Sequence, residues 1–307
     1  MNTSPPATGS ARSALAGLID YAGLFPPAAL SLAAAREEYA AARTGLFAWM
    51  LGRFIISASQ LASLEARLEE PLSAIVDAGT DPVAWLQRAQ ELLARIAASR
   101  AAGAAVELLE VPLPRLVRDR DTFDAAIGQL RVCVDRAGLG DLPVYAEIPR
   151  SARWAELLPG AMQAAARWKV YAKLRCGGLT ADAFPSVREV AEFVAAAAQS
   201  RVAFKATAGL HHPVRGNDPA SGFTMHGFLN LLAAAAFAPR VDRATLERIV
   251  AEEDPRAFSF DDLSFAWRNE RISSQELRDV RRDAFHAYGS CSFSEPVDDL
   301  RSLGLLQ

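Results

Sequence analysis

Two stretches, KVYAKLRCGG (169–178) and RVAFKATAGL (201–210), together with PVYAEIPR (143–150) just upstream, decide how the chain folds. Each is a short run rich in Val, Tyr, Phe and Ala that ends at Gly or Pro, the composition of a strand closed by a turn. Between them lie ARWAELLPGAMQAAARW (152–168) and PSVREVAEFVAAAAQ (185–199), both patterned as helices. Strand, helix, strand, helix, strand is the unit of a parallel sheet.

A strand shows alternate residues to opposite faces. In 169–175, Val170, Ala172 and Leu174 form an apolar row against Tyr171, Lys173 and Arg175. In 202–207, Val202, Phe204 and Ala206 oppose Ala203, Lys205 and Thr207. In 144–149, Val144, Ala146 and Ile148 oppose Tyr145, Glu147 and Pro149. The apolar rows belong under the helices, which sends Glu147, Lys173 and Lys205 inward on three successive strands.

Working outward, GLIDYAGLF (17–25), RFIIS (53–57), LSAIVDAG (72–79) and AVELLEVPL (105–113) supply four earlier strands. Helical segments 29–45, 59–70, 81–101 and 122–137 follow them in turn, the third with Asp81 as a cap and Pro82 in its first turn. AFSFDD (257–262) is the best eighth strand, and SSQELRDVRRDAFHAY (273–288) the closing helix. Eight alternations predict a single-domain α/β chain, a (β/α)₈ barrel over residues 13–307. Residues 1–12 are expected to be disordered from their Ser, Thr, Pro and Gly content, and a C-terminal extension is expected from about 289. A doubly wound open sheet is the structural rival, but no GxGxxG follows the first strand.

Composition narrows the function. A net charge of −3 without charge blocks disfavours nucleic acid and anionic membranes as partners. Neither a signal peptide nor a membrane span is read, since AAAAFA (233–238) is short and flanked by Pro239 and Arg240. Cys133, Cys176 and Cys291 are scattered, which suits reduced thiols in a cytoplasm. Of 33 basic residues only three are Lys, at 169, 173 and 205. Arg stays protonated, whereas Lys can lose its proton and become a nucleophile, so a surviving Lys asks for a reason.

Lys173 and Lys205 lie towards the C-terminal ends of their strands, where barrel active sites are built. Neighbouring strands are ~4.8 Å apart, so the two amines come within electrostatic reach and one is pushed towards its neutral form. A buried structural ion pair of Lys173 with Glu147 is the plainer reading. Glu147 and Glu110 are the candidate acid and base. Glu107 and Glu110 face opposite ways, and Glu110 is favoured inward because it is nearer the strand end. Asp20, Arg53, Asp77, Arg175, Thr207, His211 and His212 are candidates for holding a substrate, and the basic ones would suit a carboxylate or phosphate. Gly177, Gly178 and Gly209 could bring backbone N–H groups to such an anion. Lys169, at the far end of its strand, His286, on a helix face, and Cys176, a small buried thiol, are read as structural.

In motif order the chain resembles deoxyribose-phosphate aldolase and its class I aldolase relatives. Ile19-Asp20-Tyr21-Ala22-Gly23-Leu24 stands where that family has Ile-Asp-His-Thr-Leu-Leu. Lys173-Leu-Arg-Cys-Gly stands where it has Lys-Thr-Ser-Thr-Gly, and Lys205-Ala-Thr-Ala-Gly-Leu where it has Lys-Ala-Ser-Gly-Gly-Ile. The resemblance implies that Lys173 forms the Schiff base, that Lys205 tunes it, and that Glu147 echoes the family's fifth-strand Glu. Leu174, Arg175 and Cys176 replace the family's polar residues, so substrate contacts differ. The family's fourth-strand Asp has a counterpart only if Glu107 or Glu110 serves. Its eighth-strand Gly-Ser phosphate site is found only as Gly289-Ser290-Cys291-Ser292, here read as following a helix. LIDYAGLFPPA (18–28), KATAGLHHP (205–213) and GSCSF (289–293) also look like a group of uncharacterised bacterial proteins.

These readings lead to a Schiff-base lyase or aldolase acting on a small, anionic carbonyl compound, without a cofactor and with a homodimer compatible. Two alternatives stand beside it. One is a metal-dependent lyase or hydrolase using His211, His212 and His226 with strand-end carboxylates, although the HxH spacing is missing. The other is a binding barrel without chemistry. The segment 289–300 either starts a last helix or folds Ser290 and Ser292 over the mouth as a lid.

Overall fold

A computed structural model describes residues 8–62, 69–115, 119–219 and 221–306. Eight parallel strands close on themselves. They are β1 (Ile19–Tyr21), β2 (Leu51–Ser57), β3 (Leu72–Ile75), β4 (Val106–Pro112), β5 (Val144–Glu147), β6 (Tyr171–Arg175), β7 (Phe204–Thr207) and β8 (Phe285–Ser290). Each pairs with its neighbours in sequence, and β8 pairs back to β1 through Ile19–Tyr288, Asp20–Gly289 and Tyr21–Ser290. The chain is a (β/α)₈ barrel.

The apolar rows do pack outward. Val144, Ala146, Val170, Ala172, Leu174, Phe204 and Ala206 are all buried in the layer between strands and helices. Phe204 meets Phe193 of the helix Val187–Ser200 edge to face at 5.3 Å. That helix starts at a reciprocal cap, Ser186 with Glu189, which satisfies two otherwise orphaned N–H groups. The Ala-rich stretch lies in the helix Phe228–Phe237, buried on every side. Among the described residues no helix is long and apolar enough to cross a membrane.

The eighth strand differs from expectation. Phe258–Phe260 belongs to a separate three-stranded antiparallel sheet with Ser264–Trp267 and Glu270–Ser273. The closing helix is Ser274–Asp283 only, and Phe285–Ser290 continues as β8. The helix passes into the strand over Ala284 without a Gly or Pro, so no turn signal marked the change. Residues 289–290 therefore finish a barrel strand, and the helix Ser294–Ser302 follows them.

At the other end, Gly9–Leu15 is helical, capped by the Thr8 hydroxyl, so the expected disorder does not reach residues 9–12; residues 1–7 lie outside the described residues. Helix 59–70 is described only over Ala58–Ala62, with 63–68 outside the described residues. The third helix begins at Trp85, and Asp81 instead accepts the Val83 N–H in the turn ahead of it.

Candidate active site

The strand register sets the site. Glu147 pairs with Lys173, and Lys173 with Lys205, so three ionisable residues stand abreast on β5, β6 and β7. Ala287 of β8 is next in the same row. Behind them Glu110 projects from β4 beside Tyr145, and Asp20 projects from β1. The two lysines, Glu110 and Asp20 are at most 1% exposed, which leaves these charges to be balanced by one another.

They are linked in one chain. Lys205 Nζ lies 2.5 Å from Asp20 Oδ2 and 2.6 Å from Glu110 Oε1. Glu110 Oε2 lies 2.7 Å from Lys173 Nζ, which in turn lies 3.0 Å from Glu147 Oε2. Glu147 Oε1 accepts from Arg175 Nε at 2.8 Å. Ser73 of β3 donates to Glu110 Oε1 at 2.6 Å, and the Arg53 backbone N–H donates to Asp20 Oδ1 at 2.6 Å. Three carboxylates thus face three cations. Gly52 makes room for this end of the chain, because a Cβ there would meet Asp20 Oδ1 at 2.2 Å.

Burial pushes the Glu110 carboxyl up, but the attraction of Lys173 and Lys205 outweighs it and holds the group well below the usual carboxylate range. Glu147 is held low in the same way, burial being overcome by Lys173 and Arg175. Burial works to lower Lys205, yet Asp20 and Glu110 raise it above an ordinary lysine. Repulsion between the two amines was expected to favour a neutral one. Glu110 stands between them and offsets that repulsion.

Other candidates sit elsewhere. Arg53 is the third residue of β2, and its side chain reaches Glu107 at 2.8 Å near the N-terminal end of the barrel, so only its backbone serves the site. Glu107 faces there because β4 slips register between Val106 and Leu108. Asp77 lies exposed beyond β3, where Ser59 donates to it from its backbone and its hydroxyl. Arg175 is half exposed at the mouth and pairs in register with Thr207. Lys169 is exposed in the turn before β6, and Cys176 is buried, its thiol pushed up by burial. Gly209, at φ +63°, packs against Gly177, which brings the loops after β6 and β7 together.

The histidines do not converge. His211 Nδ1 meets Glu295 at 2.9 Å and His212 Nδ1 meets Asp299 at 2.6 Å, so both imidazoles tie the loop after β7 to the helix Ser294–Ser302. The same contacts make 294–302 a packed helix, the first of the two readings of that segment. His226 is buried, with Nε2 on the Pro185 carbonyl at 2.7 Å. Among the described residues no group of three or more His, Cys, Asp and Glu side chains is placed to hold a metal.

Sequence reasoning missed the layer beneath the lysines. His286 is on β8, not a helix, and its Nδ1 shares a 2.6 Å hydrogen bond with the Tyr145 hydroxyl. Its Nε2 meets the Arg282 carbonyl at 2.7 Å, which puts the ring proton on Nε2 and makes Tyr145 the donor to Nδ1. Lys205 Nζ sits 5.5 Å from the centre of the Tyr145 ring. Strand parity already turned Tyr145 and Tyr171 inward; only the missed eighth strand hid His286.

No protein-family model matches the sequence, and no curated protein does. Among solved structures, the tetrameric deoxyribose phosphate aldolase from Aeropyrum pernix aligns at a TM-score of 0.53 and 11% identity, over 95% of this chain and 93% of that one. The two share the barrel fold. A second solved aldolase, QR15, aligns at a TM-score of 0.48 and 12% identity, over 65% of this chain and 83% of that one. Gly289 and Ser290 end the eighth strand itself, where the sequence reading had them follow a helix.

Proposed function

We propose that the barrel is a lyase of the aldolase type, in which Lys173 forms a Schiff base with a small, anionic carbonyl compound. The register of Glu147, Lys173 and Lys205 across three neighbouring strands carries this reading. Two lysines and three carboxylates buried in a barrel interior cost desolvation that a structural core has no need to meet, and such clusters mark functional sites.

Lys173 is the nucleophile because of its partners. Lys205 is held cationic by Asp20 and Glu110 in the deepest part of the chain. Lys173 shares Glu110 with it, but its second partner is Glu147, whose other oxygen holds the half-exposed Arg175 at the mouth. Glu147 is thus positioned to take a proton from the amine as it attacks the carbonyl carbon, and to return one as the carbinolamine loses water. Glu110 keeps Lys205 and Lys173 in register, and the Lys205 cation favours developing negative charge on the substrate. Arg175, with Thr207 beside it, is suited to the substrate's anionic group. All three basic side chains touch a protein carboxylate, but Arg175 is half exposed and the two histidines much less so, which makes Arg175 the better anion contact.

A second reading, a binding barrel without chemistry, has one observation behind it: each of the six charges has an opposite charge in contact. Borohydride reduction in the presence of a panel of small aldehydes and keto acids separates the two. A stable mass adduct that maps to Lys173 is expected from the lyase, and none at that position from the binding barrel.

A further inference from the structure

Outside the lysine network, the structure brings a thiol, an imidazole and a carboxylate together on the C-terminal side of the barrel. Cys291 Sγ lies beside the His211 ring, 3.9 Å from Nε2 and 4.0 Å from Nδ1, and His211 Nδ1 lies 2.9 Å from Glu295 Oε2. The three come from separate places: the first residue after β8, the loop after β7 and the first turn of the helix Ser294–Ser302. The lyase reading uses none of them.

The cysteines differ sharply in surroundings. Cys133 and Cys176 are buried, whereas Cys291 is partly exposed and lines a cavity of about 430 Å³. Tyr21, Leu30, Glu38, Ser292 and Ser294 form other parts of its wall. Glu38 is exposed and accepts the Tyr21 hydroxyl at 2.5 Å, so a carboxylate faces whatever enters. Cys291 and Glu295 together push His211 up to about 10, which keeps the imidazole protonated at neutral pH. A cationic imidazole beside sulfur, oriented by a carboxylate, is the arrangement that activates a cysteine nucleophile.

We propose that Cys291, His211 and Glu295 form a second reactive site, at which Cys291 undergoes thiol–disulfide exchange with small disulfides that carry an ammonium group. In the step, the Cys291 thiol gives its proton to solvent, its thiolate sulfur attacks one sulfur of the disulfide, and the S–S bond breaks. A mixed disulfide forms on Cys291, and the other half leaves as a thiolate that can take the His211 proton. The disulfide is the oxidant: Cys291 is oxidised and one half of the reagent is reduced. The bound half occupies the cavity, its ammonium towards Glu38. Cys291 is the only cysteine of the three with both the access and the partners for this.

The test uses the full chain under native conditions with cystamine as the probe, followed by peptide mass mapping. One fast adduct per chain is expected, on Cys291, with Cys133 and Cys176 at least about tenfold slower. His211→Ala and the shape-conserving Glu295→Gln should each slow the Cys291 reaction about tenfold, with far-UV circular dichroism confirming that both variants fold. Mapping in the unaltered chain stands whether or not a variant folds. Equal labelling of the three cysteines, or unchanged rates in both folded variants, would overturn the proposal.

Discussion

Lys173 stands opposite Lys205 in the register of β6 and β7, and the two amines share one carboxylate, Glu110, through its two different oxygens. Glu110 is therefore the joint of the network. Removing its charge leaves two buried ammonium groups with one carboxylate contact each. Glu110→Gln is expected to destabilise the fold by about 3–5 kcal/mol in urea unfolding, the cost of breaking a buried pair. A loss under about 1 kcal/mol would mean that the network carries little of the stability.

The same groups set the dependence on pH. Glu110 and Glu147 have folded pKa values below their unfolded ones, so their stabilisation is present above about 4.5 and is lost as the pH falls below it. Lys205 is raised, so its stabilisation is present in full below about 10.5 and is lost only as the pH climbs through its higher folded value. Unfolding free energy across pH should show a plateau between these limits. Glu110→Gln should flatten the acid limb, and an unchanged acid limb would count against the assignment.

Asp20 is held by a gap as well as by bonds. Gly52→Ala would place a methyl 2.2 Å from Asp20 Oδ1, in a strand pair that already slips register there. The carboxylate must move, and with it the partner of Lys205. A loss of about 1–3 kcal/mol is expected, as for overpacking a tight site. Retention of full stability would show that β1 can yield at this point.

Histidine titration by NMR checks the electrostatics on the mouth side. His211 should titrate near 10, while His226 and His286, lowered first by burial, should titrate below 6.5. A raised histidine stabilises the fold in full below its unfolded value of 6.5 and stops doing so as pH rises through its folded one. Glu295→Gln should bring His211 back down. A His211 resonance that titrates at the ordinary value would show that the His211–Glu295 pair does not form in solution.

Beneath the lysines, Tyr145→Phe keeps the ring under Lys205 but deletes the bond to His286. About 1 kcal/mol of stability should be lost, the usual net value of one hydrogen bond. A loss of several kcal/mol would mean that the hydroxyl organises more of the interior than His286 alone.

The sequence was most legible where strands alternate cleanly. Parity alone turned Glu147, Lys173 and Lys205 to one face, because β5, β6 and β7 pair with one another in unbroken register. It was least legible where a bulge or an unmarked boundary intervenes. Glu107 escapes the parity rule through the slip in β4, and Arg53 sits low because β2 begins at Leu51. Phe285–Ser290 has the composition FHAYGS, with no β-branched residue, and emerges from a charged helix; Phe258–Phe260 carries the stronger alternation but pairs with its own hairpin neighbour. Partners distant in sequence, such as Cys291 for His211, become visible only once β8 is in place.

Which lysine forms the imine decides whether Lys173 is the nucleophile and Lys205 its cationic neighbour. The unaltered chain is incubated with the carbonyl panel and borohydride, and the reduced adduct is located by peptide mapping. One adduct is expected, on Lys173, with Lys205 and the exposed Lys169 unlabelled. Labelling of Lys169 alone, of Lys205 in place of Lys173, or of no lysine across the panel would contradict that assignment.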